Sequence, residues 1–126
     1  MIVEDLDLLR PESKFIKIGG KEIDVSFLPC AITFDIDQIM QELSKFSEDE
    51  IKKDPIKTKE AFELSVKLCA IFCQHLYPEL DYNYFMNNCA VNQIDRFSKS
   101  IRGALQKAYN GVDKKSKNLK APKKNL

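Results

Sequence analysis

Apolar residues occupy alternate positions in two short runs near the start of the chain, residues 14–18 and 21–28. A period of two places one face of a strand against a core and the other face in water. Gly19 and Gly20 separate the runs and supply the positive φ values that a tight two-residue turn needs. The pattern therefore predicts a β-hairpin over residues 14–28. The apolar positions that share its buried face are Ile16, Ile18, Ile23, Val25 and Phe27.

After the predicted hairpin, apolar residues recur at intervals of three and four, which is typical of amphipathic helices. Asp54-Pro55 is a helix start signal, Tyr77-Pro78 is a stop signal, and a capping box at 47–50 predicts a short helical turn. The second long helix is apolar on most of its sides, so we expect it at the centre of the bundle. The predicted helices span about 31–46, 55–77, 81–88 and 91–109.

These elements indicate an α+β fold, mostly α, in which an N-terminal β-hairpin is followed by a compact bundle of about four to five helices. For a chain of 126 residues we expect one domain, over 14–110, preceded by a loose lead-in, 1–13. Asn110-Gly111 is a helix stop. The segment that follows Asn110 holds six lysines and one acid, a net charge of +5, which leaves −4 on residues 1–109. Residues 111–126 are therefore predicted to be a disordered basic tail.

The composition, with 44% apolar and 31% charged residues, suits a globular protein. No apolar run approaches the roughly 18 residues of a membrane helix. The acidic start of the chain lacks the basic-then-apolar order of a signal peptide. We therefore expect a cytoplasmic protein, whose four cysteines are thiols in that reducing compartment.

The cysteines supply the strongest candidate metal site. Cys69 and Cys73 are four residues apart on one predicted helix face, and His75, Cys89 and Cys30 could complete a tetrahedral zinc set. The spacing does not match a zinc ribbon or a zinc finger, and Cys69 and Cys73 lie among large apolar residues. Free cysteine is one of the most buried residue types. We therefore interpret Cys69 and Cys73 as core thiols and expect neither a metal nor a cofactor.

Candidate catalytic groups are sparse. His75 is the only histidine, and Cys73, two residues away, would project from a different helix face. The paired acids Asp35 and Asp37 lie near a predicted helix start, where we expect them to act as caps. We therefore predict no catalytic residue and a protein that is not an enzyme.

Aromatic residues cluster around the junction of the predicted helices 55–77 and 81–88. Tyrosine suits half-wet positions and is enriched in protein interfaces. We predict a partner-binding surface here, and the alternative is that the same rings fill the core. The candidate residues are Tyr77, Tyr82, Tyr84, Phe85 and Phe97.

The order of elements resembles the tail assembly chaperones of long-tailed bacteriophages and prophages. In that family a hairpin reading apolar-x-apolar-Gly-Gly-Lys-x-apolar-x-apolar comes first, as in residues 16–25 here. A helical body follows and often closes with a short helix, an asparagine-containing break and a final amphipathic helix, as in residues 82–105 here. The resemblance covers about residues 14–109.

The resemblance implies a non-enzymatic chaperone, made in a bacterial host cell, that binds apolar helical segments of a tape measure protein and helps to recruit the tail tube protein. Apolar surface left open for such a partner would also favour a homo-oligomer. Three alternatives are a nucleic-acid-binding accessory protein that uses the lysine-rich tail, a structural component of the phage tail or head–tail junction, and a zinc or redox protein. The tail lacks arginine and aromatic residues, which disfavours nucleic acid as the partner.

Overall fold

The described part of the chain consists of a short 3₁₀ turn, two strands and five helices, which confirms an α+β fold that is mostly α. The computed structural model describes the backbone of residues 2–120 and the side chains of residues 2–109. The 3₁₀ turn, Leu6–Leu9, belongs to the lead-in. The strands are β1 (Phe15–Ile18) and β2 (Lys21–Asp24), and the helices are α1 (Cys30–Leu43), α2 (Glu48–Lys53), α3 (Pro55–Gln74), α4 (Tyr82–Asn88) and α5 (Val91–Lys120).

The hairpin of β1 and β2 closes with the predicted glycine turn. Gly19 and Gly20 have φ values of 59° and 75°, a left-handed conformation that glycine adopts at little cost. The strands are antiparallel, with Ile16 opposite Ile23, and both Ile18 and Ile23 are buried. The hairpin therefore meets the core through residues that the alternating pattern selects.

Strand β2 ends at Asp24, earlier than predicted, although the backbone N–H of Val25 still donates across the hairpin to the Lys14 carbonyl at 2.8 Å. Oδ1 of Asp24 accepts hydrogen bonds from the backbone N–H of Ser26 at 2.9 Å and from the Ser26 hydroxyl at 2.6 Å. Ser26 is buried as a result, whereas strict alternation predicts it in water. Burial acts to raise the pKa of Asp24, but these hydrogen bonds outweigh it and hold the pKa below the ordinary carboxyl value.

Side-chain caps begin three helices, and those of α2 and α3 lie at the predicted positions. Ser47 accepts a hydrogen bond from the backbone N–H of Glu50 at 3.1 Å, at the start of α2. Asp54 caps α3 and Asp81 caps α4 in the same way. Each cap satisfies a backbone N–H that has no partner within its own helix.

The central position predicted for the second long helix is confirmed, since α3 packs against α1, α2, α4 and α5. The helix ends at Gln74, short of the predicted residue 77, because the backbone N–H groups of Leu76 and Tyr77 both donate to the Cys73 carbonyl in a turn. Leu76 is 51% exposed, so the end of the predicted helix is not buried. The large buried side chains of α3 are Val66, Leu68, Cys69, Phe72 and Cys73.

The last helix is longer than predicted. Helix α5 passes through Asn110-Gly111 and continues to Lys120, so the predicted end at residue 109 and the disordered tail both differ from the structure over 111–120. One glycine costs a helix only about 1 kcal/mol relative to alanine, and lysine is a good helix former. The helix propensity of the lysines after Gly111 therefore outweighs the cost of the glycine. Residues 121–126 of the predicted tail lie outside the described residues. Within 2–120 no helix combines the length and hydrophobicity of a membrane span.

Candidate partner-binding groove

Two of the five predicted partner-binding residues lie inside the core. Phe85 and Phe97 are 0% and 1% exposed, and their ring centroids lie 6.1 Å apart in an edge-to-face arrangement. Phe97 also lies 6.0 Å from the ring of Phe72 on α3, because it belongs to the stripe of α5 that packs on that helix. The prediction that Phe85 and Phe97 line an exposed surface is therefore wrong, and the alternative that they fill the core holds for both.

The three tyrosines of that prediction are half-buried. Tyr77 and Tyr84 lie where the helices meet the hairpin, whereas Tyr82 lies beside Glu63 of α3. A Cβ atom built on Gly19 would lie 2.9 Å from the hydroxyl oxygen of Tyr84, so this tyrosine packs directly on the turn. The ammonium nitrogen of Lys21 lies 5.2 Å from the ring centroid of Tyr77, within cation–π range. Tyr82 packs against the core cluster. Partner binding by these tyrosines stays a prediction, and Gly19 has a packing role beyond its turn conformation.

The cysteines differ in exposure. Cys69 and Cys73 are fully buried, as the interpretation as core thiols requires. Burial raises the pKa of Cys73 to about 12 and raises the pKa of Cys69 as well, so both thiols are protonated at neutral pH. Cys89 is half-buried with a pKa raised by burial, and Cys30 is exposed. Within the part of the chain that the structure describes, no three His, Cys, Asp or Glu side chains are grouped so that they could hold a metal ion.

The other polar candidates are spread over the surface. His75 is exposed at the end of α3. The expectation that Asp35 and Asp37 cap a helix is wrong, because α1 begins at Cys30 and has no acid in its first turn. Asp37 instead accepts a hydrogen bond from Nε2 of Gln41 at 3.0 Å, which supports the middle of α1.

An open apolar depression lies where the lead-in, the connection from β2 to α1, and α5 meet. We call it the apolar groove, and its volume is about 440 Å³, which is within the usual range of binding pockets. Ala104 and Ala108 lie one helical turn apart on α5, and their small side chains leave space that larger residues would fill. The apolar residues that line the groove include Leu9, Pro11, Phe27, Leu28, Ala104 and Ala108.

Exposed apolar side chains lie next to the apolar groove in the sequence and on α1. Leu8, which precedes the groove residue Leu9, is 58% exposed. Phe34, one turn along α1 from the groove residue Cys30, is 81% exposed. An open depression with an apolar lining is a common form of binding site, so the apolar groove is the strongest candidate contact region.

A second depression adjoins the apolar groove along α5. We call it the basic cleft, and its volume is about 490 Å³. Pro11, Ser26, Ala104 and Lys107 line both depressions, so the two are continuous. The charged residues that line the basic cleft are Lys14, Arg96, Lys99, Lys107 and one acid, Glu12.

Neither depression follows from the sequence pattern alone. Ala104 and Ala108 belong to the apolar stripe that predicts the last helix, and that stripe does not distinguish a core position from a groove position. The sequence does carry one indication of the basic cleft: Arg96, Gly103 and Lys107 are spaced seven and four residues apart, which places them on one face of α5. Comparison of the chain with known protein families, curated proteins and solved structures finds no match.

Proposed function

We propose that the protein is a non-enzymatic binding protein of the tail assembly chaperone type, which holds an apolar helical segment of a partner in the apolar groove. The partner implied by the resemblance is a tape measure protein, and the place of action is the cytoplasm of the bacterial host cell. Binding of an amphipathic helix in a groove needs only apolar complementarity and a suitable edge.

The apolar groove is the observation that carries this proposal. It combines a nearly continuous apolar lining with an open rim, and two of the three segments around it, the connection from β2 to α1 and the helix α5, contribute residues to the buried core. The guanidinium carbon of Arg10 lies 3.9 Å from the ring centroid of Phe27, which fixes one edge. Among the described residues that line the groove, Arg10 and Lys107 are cations and none is an acid. This charge favours a partner helix that does not carry lysines beside its apolar stripe.

The proposal is tested with a designed helical peptide that has a leucine stripe, carries a fluorescent label and is titrated with the full chain. We expect Ala108→Glu to weaken binding at least about tenfold, because a carboxylate in the groove would lose water when the peptide docks. The matched control is Gln106→Glu, the same charge change on an exposed position of α5 outside the groove. Binding that is equally tight in both variants would contradict the groove as the site, provided thermal unfolding is unchanged.

The chaperone part of the proposal has its own test. If the protein is a tail assembly chaperone, we expect a very long helix-rich reading frame just downstream of its gene and a tail tube gene upstream. We also expect the protein in the lysate and not in finished particles. Recovery of the protein from purified mature virions would instead favour a structural component.

A further inference from the structure

We infer that the basic cleft is the second half of the binding site and receives acidic side chains that flank the apolar stripe of the partner helix. This inference rests on the proposed function, because it takes the apolar groove to hold the partner. The ligand class is a polypeptide helix with leucine-like residues on one stripe and glutamates or aspartates along the edge that faces the cleft.

The charge of the cleft is local and only partly neutralised. Arg96 and Lys107 form no ion pair within the described residues, while Lys99 pairs with Asp95 at 3.1 Å in an exposed position. Residues 1–109 as a whole carry a net charge of −4. The basic cleft, with four cations and one acid in its lining, is therefore positive on a chain segment that is negative overall. A surface of this sign attracts acidic side chains and repels basic ones.

Gly103 supports a ligand in this place. It lies in the interior of α5 and lines the basic cleft. A Cβ atom added to it would meet no atom of the described residues within 4 Å, apart from its chain neighbours and the backbone of its own helix. Glycine is unfavourable in a helix interior compared with alanine, and the packing of the chain does not require it here. Its absent side chain leaves the floor of the cleft open, so that a partner can approach the backbone of α5 closely.

The dimensions suit a helix that lies along α5. Arg96 and Lys107 are eleven residues apart in α5, which is about 16 Å along the helix axis. A partner helix of about three turns would span that length. Its apolar stripe would face Ala104 and Ala108 while acids one turn apart would face Arg96 and Lys99. The two depressions share residues, so one helix can occupy both.

A nucleic acid is the competing ligand for a basic surface. Single strands bind through aromatic side chains on which bases stack, in addition to cations. The described residues that line the basic cleft include no aromatic side chain. The apolar part of the neighbouring groove's lining consists mostly of aliphatic residues and prolines, with one phenylalanine, which suits leucine-like side chains. A polypeptide ligand is therefore favoured over a nucleic acid.

The test uses three designed peptides with the same leucine stripe, whose edge residues are all Glu, all Gln or all Lys, titrated with the full chain by fluorescence anisotropy. We expect the Glu peptide to bind about tenfold more tightly than the Gln peptide at low salt, the combined effect of a few exposed ion pairs. The Lys peptide should bind more weakly than both. The preference should disappear at about 1 M salt, where such charges are screened.

The residues are tested with the variant R96Q/K99Q, because Arg96 and Lys99 line the basic cleft and not the apolar groove. We expect it to lose the preference for Glu while its affinity for the Gln peptide stays unchanged. The matched control K52Q/K59Q removes two exposed lysines elsewhere and should keep the preference. A preference that survives in R96Q/K99Q would overturn the inference.

The remaining outcomes separate this inference from the proposed function. Equal binding of all three peptides would overturn the inference and leave the apolar groove as the site. Binding of none of them would remove the proposed function and the inference together. A single-stranded DNA oligonucleotide that binds more tightly than the Glu peptide, and is lost in R96Q/K99Q, would reassign the cleft to nucleic acid.

Discussion

At the scale of single residues, exposure decides what each thiol can do. The thiolate is the reactive form of cysteine, so a raised pKa and a buried sulfur both slow modification. Cys30 lies at the exposed start of α1 and lines the apolar groove, whereas Cys69 and Cys73 are buried in the C-terminal part of α3. The same residue type therefore reports on the groove at one position and on the core at two others.

We expect one thiol, that of Cys30, to react quickly with a thiol-specific reagent at neutral pH. Cys89 should react more slowly, because it is half-buried and burial raises its pKa. Cys69 and Cys73 should react only when the chain unfolds. Mass spectrometry after timed labelling checks the order, and Cys30→Ser should remove the fast phase alone. Rapid labelling of Cys73 in the native protein would contradict the packing of α3.

At the scale of elements, α5 combines two roles on different faces. One stripe packs into the core through Ile94, Phe97 and Ile101 and continues at Ala104 and Ala108 into the apolar groove. The neighbouring face lines the basic cleft with Gly103 and Lys107. A stripe that faces the core is constrained by packing density. The other face is free to carry residues that are unfavourable for the helix, and Gly103 is one of them.

Gly103→Ala tests this division. We expect it to raise the free energy of unfolding by about 0.5–1 kcal/mol, because alanine is a better helix former and its methyl group meets open space. Urea denaturation measures the change, and Gly19→Ala is the contrasting variant. Gly19 has a positive φ and lies against Tyr84, so alanine there should destabilise the fold. A destabilised Gly103→Ala would show that the cleft floor is not open.

Elements that depend on local chemistry follow from the sequence, and features that depend on packing do not. The Gly19-Gly20 turn and the Asp54 cap are predicted correctly because each is determined by neighbouring residues. The end of α5 is predicted wrongly, because a single glycine is a weak helix stop when the segment after it is rich in lysine, which favours a helix. An element is therefore predicted correctly when neighbouring residues determine it, and less reliably when distant contacts do.

The candidate site shows the same limit more strongly. The apolar groove joins Leu9, Phe27 and Ala108, which are far apart in the sequence and meet only in the fold. The predicted partner-binding surface fails at Phe85 because an aromatic residue beside polar residues in the sequence can face either the core or water. Exposure is a tertiary property, so sequence alone selects residue types at a site but not which of them reach the surface.

At the scale of the whole molecule, the fold separates the residues that stabilise it from those that can contact a partner. The buried rings of Phe72, Phe85 and Phe97 connect α3, α4 and α5 in edge-to-face contacts. The exposed apolar residues Leu8 and Phe34 lie on the lead-in and on α1, the segments that contribute Leu9 and Cys30 to the apolar groove. Leu28 and Ala104 belong both to the buried core and to the groove lining, so the separation holds for the phenylalanine cluster and not for every groove residue.

A matched pair of phenylalanines tests this separation. Phe85→Ala removes a fully buried ring and should lower the free energy of unfolding by about 3–5 kcal/mol, with a smaller loss for Phe85→Leu in case the alanine variant does not fold. Phe34→Ala removes an 81% exposed ring and should change stability by less than about 0.5 kcal/mol. If Phe34 extends the apolar groove, the same variant should weaken binding of the leucine-stripe peptide severalfold. Denaturant unfolding and peptide titration on both variants measure stability and binding independently. A Phe34→Ala variant that loses stability but keeps binding would show that the Phe34 ring belongs to the folded core and not to the contact surface.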